Sequence, residues 1–139
     1  MADVTQNGAN VRFSTRVQSR KGLTSGEAIA TIGMPVYIKA SDGKVYKCDV
    51  NASAEAALCV GVAMHAPAAA DQPLDVAYFD PDYTPGFTLT KGIIYVPSAT
   101  AGGIAPVADV VSGWYLSTLL IPTSTTKAIL SVINSQVAT

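Results

Sequence analysis

Apolar and polar positions are arranged differently on the two sides of residue 28. Ahead of it the chain is dominated by Asn, Gln, Ser, Thr and Arg. Val11, Phe13 and Val17 supply most of its sizeable apolar side chains before Leu23. Alternation at Val11 and Phe13 fits a short strand, but one with too few neighbours to be stable alone. Residues 1–28 are therefore predicted to be an extended N-terminal arm, ordered mainly where it meets a partner.

From residue 29 to 139 the pattern becomes a series of short β-type runs punctuated by turns, predicting one β-rich body. Val36 and Ile38 share a face in the run 35–40, and Val45 and Lys47 oppose Tyr46 and Cys48 in the run 44–48. Between them stands Ser41-Asp42-Gly43. Asp-Gly supplies the positive φ that a tight hairpin turn requires. Residues 52–58, rich in Ala with Glu55 and Leu58, predict one short helix, with Asn51 or Ser53 as its cap. Further strands are predicted over 59–64, 74–79, 87–90 and 93–96, with a turn-rich segment at 80–86. Residues 99–106 read as a small-residue loop with too much Gly and Pro for a regular element. Residues 114–121 and 127–133 form a last strand pair around residues 122–126. The fold class expected is all-β, mainly β with one short helix: a small β-barrel or β-sandwich preceded by the arm.

Composition sharpens this picture. A chain of 139 residues suits one domain, and buries about two thirds of the surface its unfolded form exposes. Apolar residues make up 49% and charged residues only 14%, against roughly 25% charged in ordinary soluble domains. A surface so poor in charge fits a protein that hides part of it in an oligomer or lattice. Net charge is -1, which favours neither nucleic acid nor an anionic membrane as a partner. No export signal is legible near Met1, and no apolar run reaches the roughly 18–20 residues of a membrane span, so folding in a cytoplasm is expected. Cys48 and Cys59 are then expected to stay reduced and to act as small core residues.

The candidate chemistry is sparse. His65 is the single histidine, so any Ser-His-Asp arrangement would have to be built around it. With two cysteines and that one histidine, a four-ligand zinc site cannot form. Asp80 and Asp82 would face the same way in an extended segment, as a calcium site or acid/base pair requires. However, Asp-Pro is also a common turn starter and the spacing is not that of an EF-hand. Gly102-Gly103 lacks the Lys-Ser/Thr and helix of a phosphate loop. The chain is accordingly read as no enzyme, with no cofactor, no metal and no small-molecule substrate. Arg12, Arg16, Arg20 and Lys21 place four of the nine basic residues within ten positions. No aromatic interleaving suggests base stacking among them. Guanidinium groups on such an arm suit pairing with carboxylates on a protein partner.

Gly33-Met-Pro-Val-Tyr-Ile38, Gly43-Lys-Val-Tyr-Lys47, Leu58-Cys-Val-Gly-Val-Ala63 and Gly92-Ile-Ile-Tyr-Val96, in that order, resemble bacteriophage capsid cement, or head decoration, proteins. The resemblance covers roughly residues 22–133 and extends to Ala101–Pro106 and Ser112–Leu116. It implies a compact β-tulip-like body with an N-terminal arm, a homotrimer on the outer surface of the virion capsid, and the major capsid protein as partner. It also implies neither cofactor nor catalytic residues. On this reading Arg12, Phe13, Arg16, Arg20 and Lys21 form the capsid-binding arm. Trp114 and Tyr115, with Asp80, Asp82 and Tyr83, are candidates for the interface between copies. A phage tail, baseplate or fibre component, or a β-type binding or adhesin module, is the rival.

Overall fold

The computed structural model describes residues 3–139. Its strands are β1 (Gln18–Thr24), β2 (Pro35–Ile38), β3 (Val45–Lys47), β4 (Gly61–Ala63), β5 (Pro73–Tyr83), β6 (Tyr95–Pro97), β7 (Ile104–Pro106), β8 (Tyr115–Pro122) and β9 (Ala128–Ala138). They pair antiparallel in the order β3-β2-β4-β5-β9-β8-β6-β7, with β1 added alongside β5. The sheet curls into a half-barrel, so the all-β expectation holds.

The long strand β5 organises the fold. Ala77 pairs with Ser19 on one edge and Val62 on the other, and Phe79 pairs with Gln18 and Ser131 in the same way. β4 and β9 therefore follow one another along a single edge of β5, while β1 runs along the opposite edge. One half of β5 belongs to the β2–β3–β4 unit and the other half to the β6–β9 unit.

Burial on both faces explains the unbroken apolar run of β4. Val62 and Ala77 face the main core, with Tyr83, Leu89, Tyr95, Leu119, Leu120 and Leu130. Their neighbours Ala63 and Val76 face a second, smaller core with Ile29, Val36, Val45 and Leu74. Successive strand residues point to opposite faces, so a strand with a core on each side reads as continuous rather than alternating apolar sequence. Each buried Leu, Val or Ile contributes roughly 1.5–3 kcal/mol to this packing. Gly61 allows β4 to approach: its φ is +154°, and a Cβ there would run into the Ala77 carbonyl.

The β2–β3 hairpin forms as expected. Gly43 takes φ 71°, its N–H donates to the Lys39 carbonyl, and Asp42 Oδ1 accepts the Lys44 N–H at 2.9 Å. Cys48 and Cys59 are unbridged and buried in the main core.

Several expectations are corrected. Residues 52–58 form turns instead of a helix. Ser53 Oγ accepts the Ala56 N–H at 3.0 Å and the Ser53 carbonyl accepts the Ala57 N–H, but the segment goes no further. A stretch this short gains too few bonds to offset helix nucleation, and burial of Ala56 and Ala57 fixes it as a turn. Residues 80–83 continue β5 instead of turning, because Asp80, Leu130, Tyr83 and Ala128 complete the pairing with β9. Residues 104–106, expected as loop, are β7 against β6. Residues 87–90 form no strand.

The largest correction concerns residues 3–28, which are built into the body. Val4 N–H donates to the Ile104 carbonyl, Asn7 N–H to the Gly86 carbonyl, and Arg12 exchanges backbone bonds with Thr84. Val11 is buried in the main core, and β1 is an ordinary member of the sheet. The polar composition hid this because the ordering comes from backbone pairing and a few apolar anchors, not from a run of apolar residues.

Candidate functional site

The N-terminal segment runs antiparallel to β5 along its length, from Thr24 opposite Pro73 to Arg12 opposite Thr84. Two anchors hold its middle. Phe13 stacks on Tyr83, with ring centroids 5.2 Å apart. Asp80, with 0% of its surface exposed, accepts the Ser14 N–H at 2.8 Å, the Ser14 hydroxyl, and the Asp82 N–H at 3.0 Å. A buried carboxylate needs several donors to offset its lost hydration, and these three supply them.

This arrangement separates residues that look alike in the sequence. Asp80 and Tyr83 lie wholly inside the subunit, so the expectation that they line an interface between copies is corrected. Burial first, and the Asp80 charge second, push the Tyr83 hydroxyl well above its usual range. Asp82, in contrast, is half-buried with a carboxylate oxygen 3.8 Å from Lys127 Nζ. The two aspartates therefore do not form a joint site, because β5 is irregular between Asp80 and Tyr83 and turns them into different surroundings. Among the described residues no cluster of His, Cys, Asp and Glu could hold a metal ion.

Arg12, Arg16, Arg20 and Lys21 are exposed, and among the described residues none makes an ion pair. Arg12 is the most constrained, donating through Nη1 to the carbonyls of Ala9 at 2.7 Å and Val11 at 2.8 Å. Arg20 lies opposite Val76, and a bulge at Lys21-Gly22 is held by the Gly22 N–H donating to Asp75 Oδ1 at 3.1 Å. The cations thus follow one another along the outer edge of the sheet. Tyr78, two residues beyond Val76, shares the Arg20 face and is exposed. Both border a hollow of about 500 Å³ that Ser19, Cys59, Val60 and Val132 also line. Tyr78 escaped the sequence reading because it continues the apolar alternation of Leu74 and Val76; only the limit of the second core leaves it in solvent.

The remaining candidates have structural settings. His65 is exposed, and its Nδ1 accepts the Asp75 N–H at 3.0 Å. Burial, and then the neighbouring Cys59 thiol, push the Cys48 thiol well above its ordinary value, which suits packing and not nucleophilic attack. Trp114 and Tyr115 are half-buried at the start of β8.

Compared with known protein families, with curated proteins and with solved structures, the chain matches none of them.

Proposed function

We propose that this protein is a structural virion component that cements an expanded phage capsid by bridging neighbouring major capsid proteins. The observation that carries the proposal is the row of exposed cations along one anchored edge, Arg12, Arg16, Arg20 and Lys21, which make no ion pair among the described residues. The order of motifs resembling head decoration proteins adds to it. An edge fixed by Asp80 and Tyr83 has its backbone already ordered, so binding has only the arginine side chains left to order. Arg matches carboxylates in a bidentate manner. Tyr78 beside Arg20 supplies the aromatic partner common at the energetic centre of interfaces. Separating two capsid subunits would then also require breaking these contacts. Several copies acting together would make modest individual contacts strong through effective concentration. The resemblance suggests three copies. Acting from the outer surface, such a protein would stabilise the shell against packed DNA without cofactor or catalysis.

Substitution tests this better than deletion, because Val11 and β1 belong to the body. Purified protein is added to expanded heads lacking it, and bound copies and rupture temperature are measured. Wild type is expected to saturate the heads and raise the rupture temperature. The Arg12→Ala/Arg16→Ala/Arg20→Ala variant is expected to bind more weakly, with a flatter salt dependence. Binding that is unchanged in affinity and salt dependence overturns the arginine assignment. Binding to tails but not heads overturns the capsid assignment in favour of a tail component.

A further inference from the structure

We infer that the β8–β9 hairpin is the surface through which copies of this chain associate. This inference rests on the self-association element of the preceding reading and not on the capsid.

Of the six large apolar side chains left exposed among the described residues, five are Val111, Leu116, Ile121, Ile133 and Val137; Ile133 and Val137 are each 65% exposed. From Val110 to Thr139 the only charged residue is Lys127, which lies at the turn near Asp82. Thr118 pairs with Ile133, so Leu116, Thr118 and Ile133 lie on one face of the hairpin. The opposite face is pinned to the body. There Ser117 donates to Asn134 Oδ1 at 2.9 Å, and Asn134 Nδ2 donates to the Cys59 carbonyl at 2.8 Å. These bonds prevent the hairpin from turning its apolar face inward.

The edge of β9 is equally open. β5 pairs with β9 no further than Ser131, leaving residues 132–138 with β8 alone as a strand neighbour. Proteins usually guard such an edge with charge or proline, and this stretch has neither. The positive φ of Gln136, 56°, interrupts the edge before its end, which limits the pairing it can offer.

Charge complementarity identifies the occupant. A charged partner surface would lose hydration against this face and gain no counter-charge. The N-terminal segment is already laid along β5. A second copy brings the same neutral, apolar hairpin, presented rigidly, whether the copies close about a two-fold or a three-fold axis.

Sedimentation of the full chain at high micromolar concentration tests the inference, together with the variant Ile133→Lys/Val137→Lys. Wild type is expected to show the mass of two or three subunits. The variant is expected to be folded by near-ultraviolet circular dichroism and monomeric, with association weakened at least about a hundredfold. Amide exchange of wild type gives a readout independent of any substitution: residues 132–138 should exchange more slowly as concentration rises, while β2 to β4 should not change. A monomeric wild type, an associated double variant, or concentration-independent exchange at 132–138 overturns the inference. Failure to bind capsids with the mass and exchange behaviour intact overturns only the capsid reading.

Discussion

β1 and the outer half of β9 are both open strand edges, and only the first is guarded by charge. β1 carries Arg20 and Lys21, is bulged at Lys21-Gly22, and continues back to Arg16 through a turn. Charge and irregularity of this kind discourage another strand from adding to an edge. β9 from Val132 onward carries no charge and presents Ile133 and Val137 to solvent. An edge with charge is suited to a partner that offers carboxylates. One without charge is suited to a neutral apolar surface. The same sheet thus has two exposed borders of contrasting chemistry.

Their attachment differs as well. The N-terminal segment is held by buried groups far from it in sequence, Tyr83 and Asp80, whereas the outer hairpin is held by its own β8–β9 pairing and the Ser117–Asn134–Cys59 bonds. The largest test of this difference is Tyr83→Ala. Removing a fully buried aromatic costs about 3–5 kcal/mol, read from urea denaturation. A loss below about 1 kcal/mol would show that the cavity is refilled and that Tyr83 is no anchor.

Asp80→Ala is the next largest. It strips the half-buried Ser14 and Asp82 N–H groups of their acceptor, at about 1 kcal/mol each, the low end of the range because water reaches them. Amide exchange should accelerate over residues 11–20 and stay unchanged over 132–138. Equal acceleration in both regions would mean that the two borders are not separately held.

The smallest effect on stability, and the sharpest on the comparison, is expected from Arg20→Val with Lys21→Thr. Both side chains are exposed, so folding stability should move by no more than about 0.5 kcal/mol. Light scattering should nonetheless rise, because the β1 edge would have lost its charges. A solution as clear as wild type would show that the bulge at Lys21-Gly22 alone protects that edge.

Much of the body was legible before the structure. The hairpin at residues 42–43 follows from local chemistry, since Asp-Gly accommodates the positive φ of its turn. The β8–β9 pair follows from two apolar strand-like runs separated by a polar turn. β7 was not legible, because Gly102 and Gly103 argue for a loop and only pairing with β6 makes residues 104–106 a strand. Asp80 and Asp82 read as a matched pair, yet one is buried against Ser14 and the other reaches toward Lys127.

By itself the sequence determined the β character of the chain, its low charge, and the clustering of cations ahead of residue 22, because these depend on composition, alternation and local turn preference. Tertiary structure alone decided that residues 3–28 belong to the body, that Asp80 and Tyr83 face inward, and that Tyr78 and Ile133 face outward. The physical reason is that a strand's alternation says which side chains share a face. Whether that face meets a core or water depends on what packs over it from elsewhere in the chain.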